Sequence, residues 1–215
     1  MKSISSKILQ NARKPKGFVG RLMLKGMNIG HASLSNWALS LINWQPQWQV
    51  LDIGCGGGAN IAEILKRSPR GEVYGIDFSA ESVAYAQKTN KKTLGKRCFI
   101  EQGNVESLPY NNNKFDLVTA FETVYFWKDM SKALQEVRRV LKTNGLFLIC
   151  CEVSNPANTK WSDLIEEMVI HSENELQTLL EQNGFSNISV YKQPTEKISI
   201  VAQAINSNTK KENKK

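Results

Sequence analysis

Asp52, the glycines at Gly54, Gly56 and Gly58, and a second carboxylate at Asp77 are the residues whose types and spacing could do chemistry. They lie in VLDIGCGGG, residues 50–58, and in YGID, which ends 25 residues after Asp52. Glycines let the backbone come close to a ligand, because no Cβ stands between them. The turn opens a helix whose first N–H groups have no partner within the helix. A carboxylate at the tip of the next strand is placed to accept both hydroxyls of a ribose. This pattern predicts a nucleoside-like ligand.

Two ligand groups use such a turn. GCGGGA, Gly54 to Ala59, fits the G-x-G-x-x-G/A pattern of nicotinamide and flavin proteins. Asp52 argues against that reading, since a carboxylate beside an anionic pyrophosphate is repelled. S-adenosylmethionine carries adenine and ribose but no phosphate, and its methionine end holds a sulfonium and an ammonium. An acidic group at the end of the first strand suits that positive end, so the charge pattern favours S-adenosylmethionine.

The elements that must position these residues alternate between apolar strands and amphipathic helices, as in a parallel α/β sheet. Strands are expected near 48–53, 72–77, 97–101, 115–121 and 145–152, with a final pair at 187–193 and 197–204. Helices are expected from Asn60 to Ser68, from the cap Ser79 to about Lys92, and from the cap Asp129 to about Lys142. Asn144-Gly145 is expected to end the last of these with a left-handed turn. Ser172 and Glu175 form a capping box for a further helix that Gly184 terminates. Only QPTE separates the last two strands, which predicts a hairpin. Residues 17–44 read as helices broken at Gly26 and Gly30, with Trp37 and Trp44 on an apolar face.

With these motifs in view, residues 45–205 resemble the class I S-adenosylmethionine-dependent methyltransferases, in particular the small-molecule branch called methyltransferase type 11. LDIGCGGG looks like the family's first motif and GIDFS, 75–79, like its second. GNVESLPY, 103–110, is similar to the G-D-A-x-x-L-P segment, with Asn104 where Asp is usual. FDLVTAFETVYFW, VRRVLKTNGLFLI and ENELQTLLEQNGF follow in the family's order. The resemblance implies a Rossmann-like, seven-stranded, mostly parallel sheet with one antiparallel strand from the C-terminal hairpin and helices on both faces. It also implies an N-terminal helical lid over residues 1–45, a methyltransferase domain over 46–205 and a disordered tail over 206–215.

Site roles follow from strand ends and from the resemblance. Asp52, Gly54, Cys55, Gly56 and Gly58 are expected around the methionine and ribose, and Asp77 on the ribose hydroxyls. Ser79 and Glu106 join this cofactor set, with Phe78 against the adenine face or simply packing. Asn104 would accept from the adenine amino group, Val105 would donate a backbone N–H, and Phe121 would lie beneath the sulfonium. Methyl transfer needs mainly alignment, and a general base only where the acceptor must lose a proton. Glu122 is the candidate base by position and His31 by intrinsic pKa. Each has a second reading: Glu122 as the partner of the methionine ammonium, His31 as a structural residue. Met27 to His31 resembles a lid turn of some type 11 members, which makes Asn28 and His31 candidates for facing the substrate. Tyr125, Phe126 and Trp127 follow the fourth strand. Three adjacent aromatics cannot all face one pocket, and Tyr125 and Trp127 are the expected lining, suited to an apolar or aromatic acceptor.

Composition sets further limits. The net charge of +8 is uneven: residues 1–51 hold seven Lys or Arg and no acid, and the last six residues hold four lysines against Glu212, while the body between is near neutral. Such basic ends read as solvated segments, and nucleic acid is not the expected partner. FETVYF stands where amino-methylating nucleic-acid enzymes carry an N-P-P-Y-type tetrad. The four cysteines show neither metal spacing nor a disulfide framework, so no metal and a reducing, cytoplasmic setting are expected. No apolar run reaches 18 residues, and no signal peptide is read. Three rivals remain: a nucleic-acid or protein methyltransferase gripping its target with the basic N-terminus, a non-catalytic S-adenosylmethionine-binding protein, and a nicotinamide oxidoreductase. Oligomeric state is left open.

Overall fold

Strands and helices alternate along the chain, and sheet order decides which strand ends become neighbours. The computed structural model describes residues 17–204; the basic stretch 1–16 and the tail from 205 on, with the disorder expected there, lie outside the described residues. The elements are α1 (Gly17–Gly30), α2 (Ala32–Ser40), β1 (Gln49–Ile53), α3 (Ala59–Arg67), β2 (Glu72–Asp77), α4 (Ala80–Thr89) and β3 (Cys98–Gln102). There follow β4 (Phe115–Phe121), a 3-10 turn (Val124–Phe126), α5 (Met130–Val140), β5 (Leu141–Cys151), α6 (Glu173–Gln182), β6 (Phe185–Lys192) and β7 (Ile198–Ala204).

The seven strands form one sheet in the order β3-β2-β1-β4-β5-β7-β6. Strands β1 to β5 run parallel; β7 lies antiparallel between β5 and β6. The parallel strands are covered on both faces and read as near-continuous apolar runs for that reason. Two apolar clusters result, one built on Phe115, Phe147 and Phe185, the other on Leu39, Ile61 and Leu148. Trp37 and Trp44 pack against the second. This is the mostly parallel, Rossmann-like sheet with a C-terminal hairpin that the sequence predicts. Among the described residues no helix is long and apolar enough to cross a membrane.

Local signals act as expected at three helix starts. The Ser79 hydroxyl accepts from Ser82 N, the Asp129 carboxylate accepts from Lys132 N, and Ser172 and Glu175 close a reciprocal capping box. Ser172→Ala should cost about 1 kcal/mol, a fall of roughly 2–4 °C in Tm for a domain of this size. Thermal denaturation checks it, and an unchanged Tm would show that α6 is held by packing alone.

Two local expectations are corrected. Helix α1 runs unbroken through Gly26, where a helical glycine costs about 0.5–1 kcal/mol relative to alanine, and ends at Gly30, the second expected break, with His31 at the turn. Asn144-Gly145 is not a helix terminus: α5 ends at Val140 and the chain passes straight into β5. Asn144, with φ +61°, lies instead where the β4–β5 register slips between the Phe115–Leu141 and Leu117–Leu146 pairs. Extra residues absorbed in a strand, three on the β5 side here, produce the same left-handed signal as a helix cap.

Candidate functional site

Parallel pairing sets Ile53 beside Ile76, so the chain leaving β1 turns over the tip of β2. Gly54 N–H and Cys55 N–H both donate to Ile76 O, at 2.8 and 3.1 Å. Gly56 N–H reaches one residue further, to Asp77 Oδ2 at 2.9 Å, and Ser79 N–H donates to Oδ1 at 2.8 Å. One carboxylate therefore ties down both the glycine turn and the start of α4. The Ser82 side chain donates to the same carboxylate, which with about four lone-pair sites still has room for a further donor. Burial pushes the Asp77 carboxyl upward, while these backbone donors pull it back.

Around this point opens a cleft of about 240 Å³ at the carboxyl ends of the strands. Of the expected cofactor residues, Gly54, Cys55, Gly56, Asp77, Phe78, Asn104, Val105, Glu106 and Phe121 line it. Phe78 is 40% exposed at its rim. The Asn104 carbonyl oxygen already accepts from Glu106 N, which shapes the loop and occupies part of its acceptor capacity. Glu136 and Arg139 of α5 fasten the same loop: Leu108 N donates to Glu136, and Arg139 donates to the carbonyls of Leu108 and Tyr110.

Four expected residues do not line the cleft. Gly58 faces α4 instead, where a Cβ would stand 2.9 Å from the Ala86 backbone and 2.7 Å from the Asn90 side chain. Ser79 is buried as a helix cap. Tyr125 is a core residue: its hydroxyl donates to Val153 O and accepts from Val153 N, and Phe126 takes the lining position beside Trp127. Asp52 lies beneath the turn, 1% exposed, with Thr119 donating to Oδ1 and no partner for Oδ2. Its carboxylate does not reach the ligand surface, so the charge assigned to it from sequence acts through the floor of the site.

Missed from sequence were Leu24, Met27, Gly57, Ser82, Thr123 and Lys128, all on the cleft wall. Gly57 and Ser82 sit within recognised motifs, so spacing was a usable signal; the others needed the tertiary approach of α1 and the 3-10 turn. Helix α1 reaches the glycine turn through Asn28, whose Nδ2 donates to Gly57 O at 3.3 Å.

At the far end of the cleft stand His31, Glu122, Phe126 and Trp127. Glu122 follows β4 with φ +56°, a conformation uncommon for a side chain of its size. Glu152, also missed from sequence, donates its backbone N–H to Glu122 Oε1 and lies 3.7 Å from His31 Nε2. Lys197 Nζ is 3.2 Å from the other Glu152 oxygen. Sheet order explains the gathering: Phe121 pairs with Cys150 and Cys151 with Ile198, so the residues next to each pair meet at one edge of the cleft.

Burial pushes Glu122 up to about 8, helped by the Glu152 charge and opposed by the Glu152 N–H. Burial likewise pushes Asp52 up to about 7 against the Thr119 hydrogen bond. His31 is held below its ordinary value by burial, with Glu152 opposing. A carboxyl whose pKa is raised by folding stays protonated in the fold where the unfolded chain has ionised. Its contribution to stability therefore falls as pH rises from the unfolded value through the folded one. The protein should lose Tm as pH rises toward about 9, most clearly above the range in which the depressed His31 opposes the trend. Asp52→Asn and Glu122→Gln should each flatten that slope and melt above wild type at the alkaline end. Parallel melting curves across pH would contradict this.

The donor set fits S-adenosylmethionine better than a dinucleotide. The cleft wall carries Asp77, Glu106 and Glu122 against Lys128 and His31, a poor lining for a pyrophosphate. Gly56, φ +50°, has nothing closer than 3.9 Å to its absent Cβ, so its backbone faces open space that a side chain would fill. Asp77 offers two acceptor oxygens beside it. The comparisons with known proteins agree: a family model described as a methyltransferase domain matches residues 45–184, well over half of the chain.

The chain belongs to the class I S-adenosylmethionine-dependent methyltransferases.

This methyltransferase is 40% identical over 109 residues to a demethylmenaquinone methyltransferase of Lactiplantibacillus plantarum, covering 50% of this chain and 46% of that one. It is 30% identical over 141 residues to a ubiquinone/menaquinone biosynthesis C-methyltransferase of Geotalea daltonii, covering 65% and 58%. The chain spans about half the length of the curated relatives it matches. Among solved structures, an S-adenosylmethionine-dependent methyltransferase of Aquifex aeolicus superposes with TM-score 0.71 at 21% identity, covering 95% of this chain and all of that one. A methyltransferase solved in complex with the Haloferax volcanii Trm112 activator gives 0.74 at 18% identity, covering 96% and 100%. At these identities the likeness is one of fold.

Proposed function

We propose that this methyltransferase moves the methyl group of S-adenosylmethionine to a small acceptor carrying a hydroxylated aromatic ring. The carrying observation is that one cleft is lined by apolar Phe121, Phe126 and Trp127 together with the polar pair His31 and Glu122. The curated relatives named for demethylmenaquinone and quinone biosynthesis support the ring class.

Bound S-adenosylmethionine supplies an electrophilic methyl group. The chain supplies alignment, which is the larger share of such catalysis. Asp77 and the glycine turn fix the ribose, while Phe126 and Trp127 hold a ring flat against the cleft wall. Trp127 is itself braced by Phe147, ring centres 6.3 Å apart and nearly parallel. A ring hydroxyl that loses its proton as the methyl arrives finds an acceptor in the neutral His31 imidazole, and in Glu122 once its carboxyl, pushed up to about 8, has ionised. We assign α1 the role of a lid, on the contact of Asn28 with the glycine turn and of Leu24, Met27 and His31 with the cleft. A reducing, cytoplasmic setting suits the four free, buried cysteines.

The test is an acceptor panel with S-adenosylmethionine, reading S-adenosylhomocysteine formed. Hydroxylated naphthalene and benzene rings should raise turnover at least about tenfold over the acceptor-free rate, a barrier change of about 1.4 kcal/mol. Turnover only with RNA or peptides would overturn the proposal and revive the rival in which the basic N-terminus grips a polymer.

A further inference from the structure

We propose that His31, Glu122 and Glu152 bind one divalent transition-metal cation (Mn²⁺, Fe²⁺ or Zn²⁺) at the acceptor end of the cleft. One ring nitrogen and two carboxylate oxygens, drawn from three separate segments, lie within 4.8 Å of one another. Among the described residues no other group of three such side chains gathers this closely. His31 stands at the turn between α1 and α2, Glu122 directly after β4 and Glu152 directly after β5. No ligand spacing appears in sequence because no two of these residues share a segment, and the expectation of no metal rested on spacing alone.

Three features single this cluster out. Glu122 keeps a left-handed backbone, a local cost that persists where surroundings demand a particular side-chain direction. Its backbone N–H donates to Cys150 O, and its Oε1 accepts from Glu152 N, which fixes the carboxylate and leaves Oε2 for another partner. Glu152 is divided: Oε1 faces Lys197 and Oε2 faces His31. Lys197 is a single positive charge that pairs with Glu152, and its field also reaches Glu122 and His31. A cation placed among His31 Nε2, a Glu122 oxygen and Glu152 Oε2 would satisfy both carboxylates and the imidazole together.

The donor set selects the ion class. Imidazole with two carboxylates suits Mn²⁺, Fe²⁺ and Zn²⁺, whereas Mg²⁺ and Ca²⁺ prefer oxygen alone. Three protein ligands leave open positions that water or an acceptor oxygen can take. The ion would thereby orient a ring hydroxyl toward the methyl donor and pin the start of α2 to the sheet. That role rests on the proposed transfer to a hydroxylated ring; the binding site itself does not.

The experiment uses the full chain, stripped with EDTA and dialysed, then titrated with Mn²⁺ while free Mn²⁺ is followed by electron paramagnetic resonance. Zn²⁺ is scored by competition, and S-adenosylhomocysteine is titrated calorimetrically into each sample. One Mn²⁺ per chain is expected. His31→Gln, Glu122→Gln and Glu152→Gln should each weaken it at least roughly tenfold, and Glu152→Gln, outside the cleft lining, should keep S-adenosylhomocysteine affinity. Lys197→Met should tighten it, because a competing ammonium is gone. Absence of Mn²⁺ and Zn²⁺ binding, or binding that ignores all four variants, overturns the site. If S-adenosylhomocysteine still binds in that case, the methyltransferase reading stands. Metal binding that follows the variants in a chain without S-adenosylhomocysteine affinity would uphold the site and sink the proposed transfer.

Discussion

Asp77→Ala is expected to weaken S-adenosylhomocysteine binding by at least about a hundredfold, since hydrogen bonds to a charged group contribute roughly 1.5–3 kcal/mol each and two ribose hydroxyls are in play. The loss has a second source. Asp77 holds the turn itself, through Gly56 N–H and Ser79 N–H. Without the carboxylate the glycine turn loses an anchor and the start of α4 loses another, so the cleft is less well formed before ligand arrives. Asp77→Asn separates the two effects. An amide keeps one acceptor oxygen but offers donors where acceptors are needed, so affinity should fall to an intermediate value. Calorimetric titration of the three proteins checks this, with thermal melts to show that each is folded. Full affinity in a folded Asp77→Ala protein would place the ribose elsewhere.

Gly54→Ala should be the most damaging conservative change in the turn. Gly54 has φ +68°, and an added Cβ would stand 2.2 Å from Thr123 Oγ1 and 2.7 Å from Thr123 Cβ. Left-handed backbone costs a non-glycine residue roughly 1–2 kcal/mol, and overpacking roughly 1–3 kcal/mol more. Thr123 is short and branched, so it cannot swing away cheaply. For a domain of this size the sum is a fall of roughly 5–15 °C in Tm, with S-adenosylhomocysteine affinity falling too because Thr123 also lines the cleft. The double variant Gly54→Ala/Thr123→Gly tests the cause. It should regain the overpacking share but not the backbone share. Equal Tm in the single and double variants would show that the clash is not what destabilises the turn.

The fold was legible because its signals are local. Parallel strands buried on both faces announce themselves as apolar runs, and Ser79, Asp129 and Ser172 cap the helices that they were expected to start. The donor half of the cleft was legible for the same reason: Gly54, Gly56 and Asp77 sit on consecutive elements, and parallel pairing alone brings them together. Where sequence misled, one residue type served two purposes. Asn144-Gly145 signals a left-handed turn but cannot say whether it ends a helix or a strand irregularity. Gly58 shares the motif of Gly54 yet serves the packing of α4. Tyr125 and Phe126 differ by one position, and the 3-10 turn sends the first to the core and the second to the cleft.

The acceptor half was hidden for a different reason. Glu152 comes beside Glu122 because β5 pairs with β4, and Lys197 meets Glu152 only because β7 inserts between β5 and β6, joining residues 45 positions apart. His31 arrives from before the first strand. Long-range register of this kind leaves no mark in composition or spacing, and the chemistry least visible in sequence is therefore that of the proposed acceptor end.

A crystal structure of the full chain with S-adenosylhomocysteine is the most direct measurement. The ribose hydroxyls should lie on the Asp77 carboxylate, the adenine between Phe78 and Val105, and the sulfur should open toward His31, Glu122 and Phe126. A ligand bound with its sulfur turned away from that end, or with its ribose off Asp77, would contradict the account.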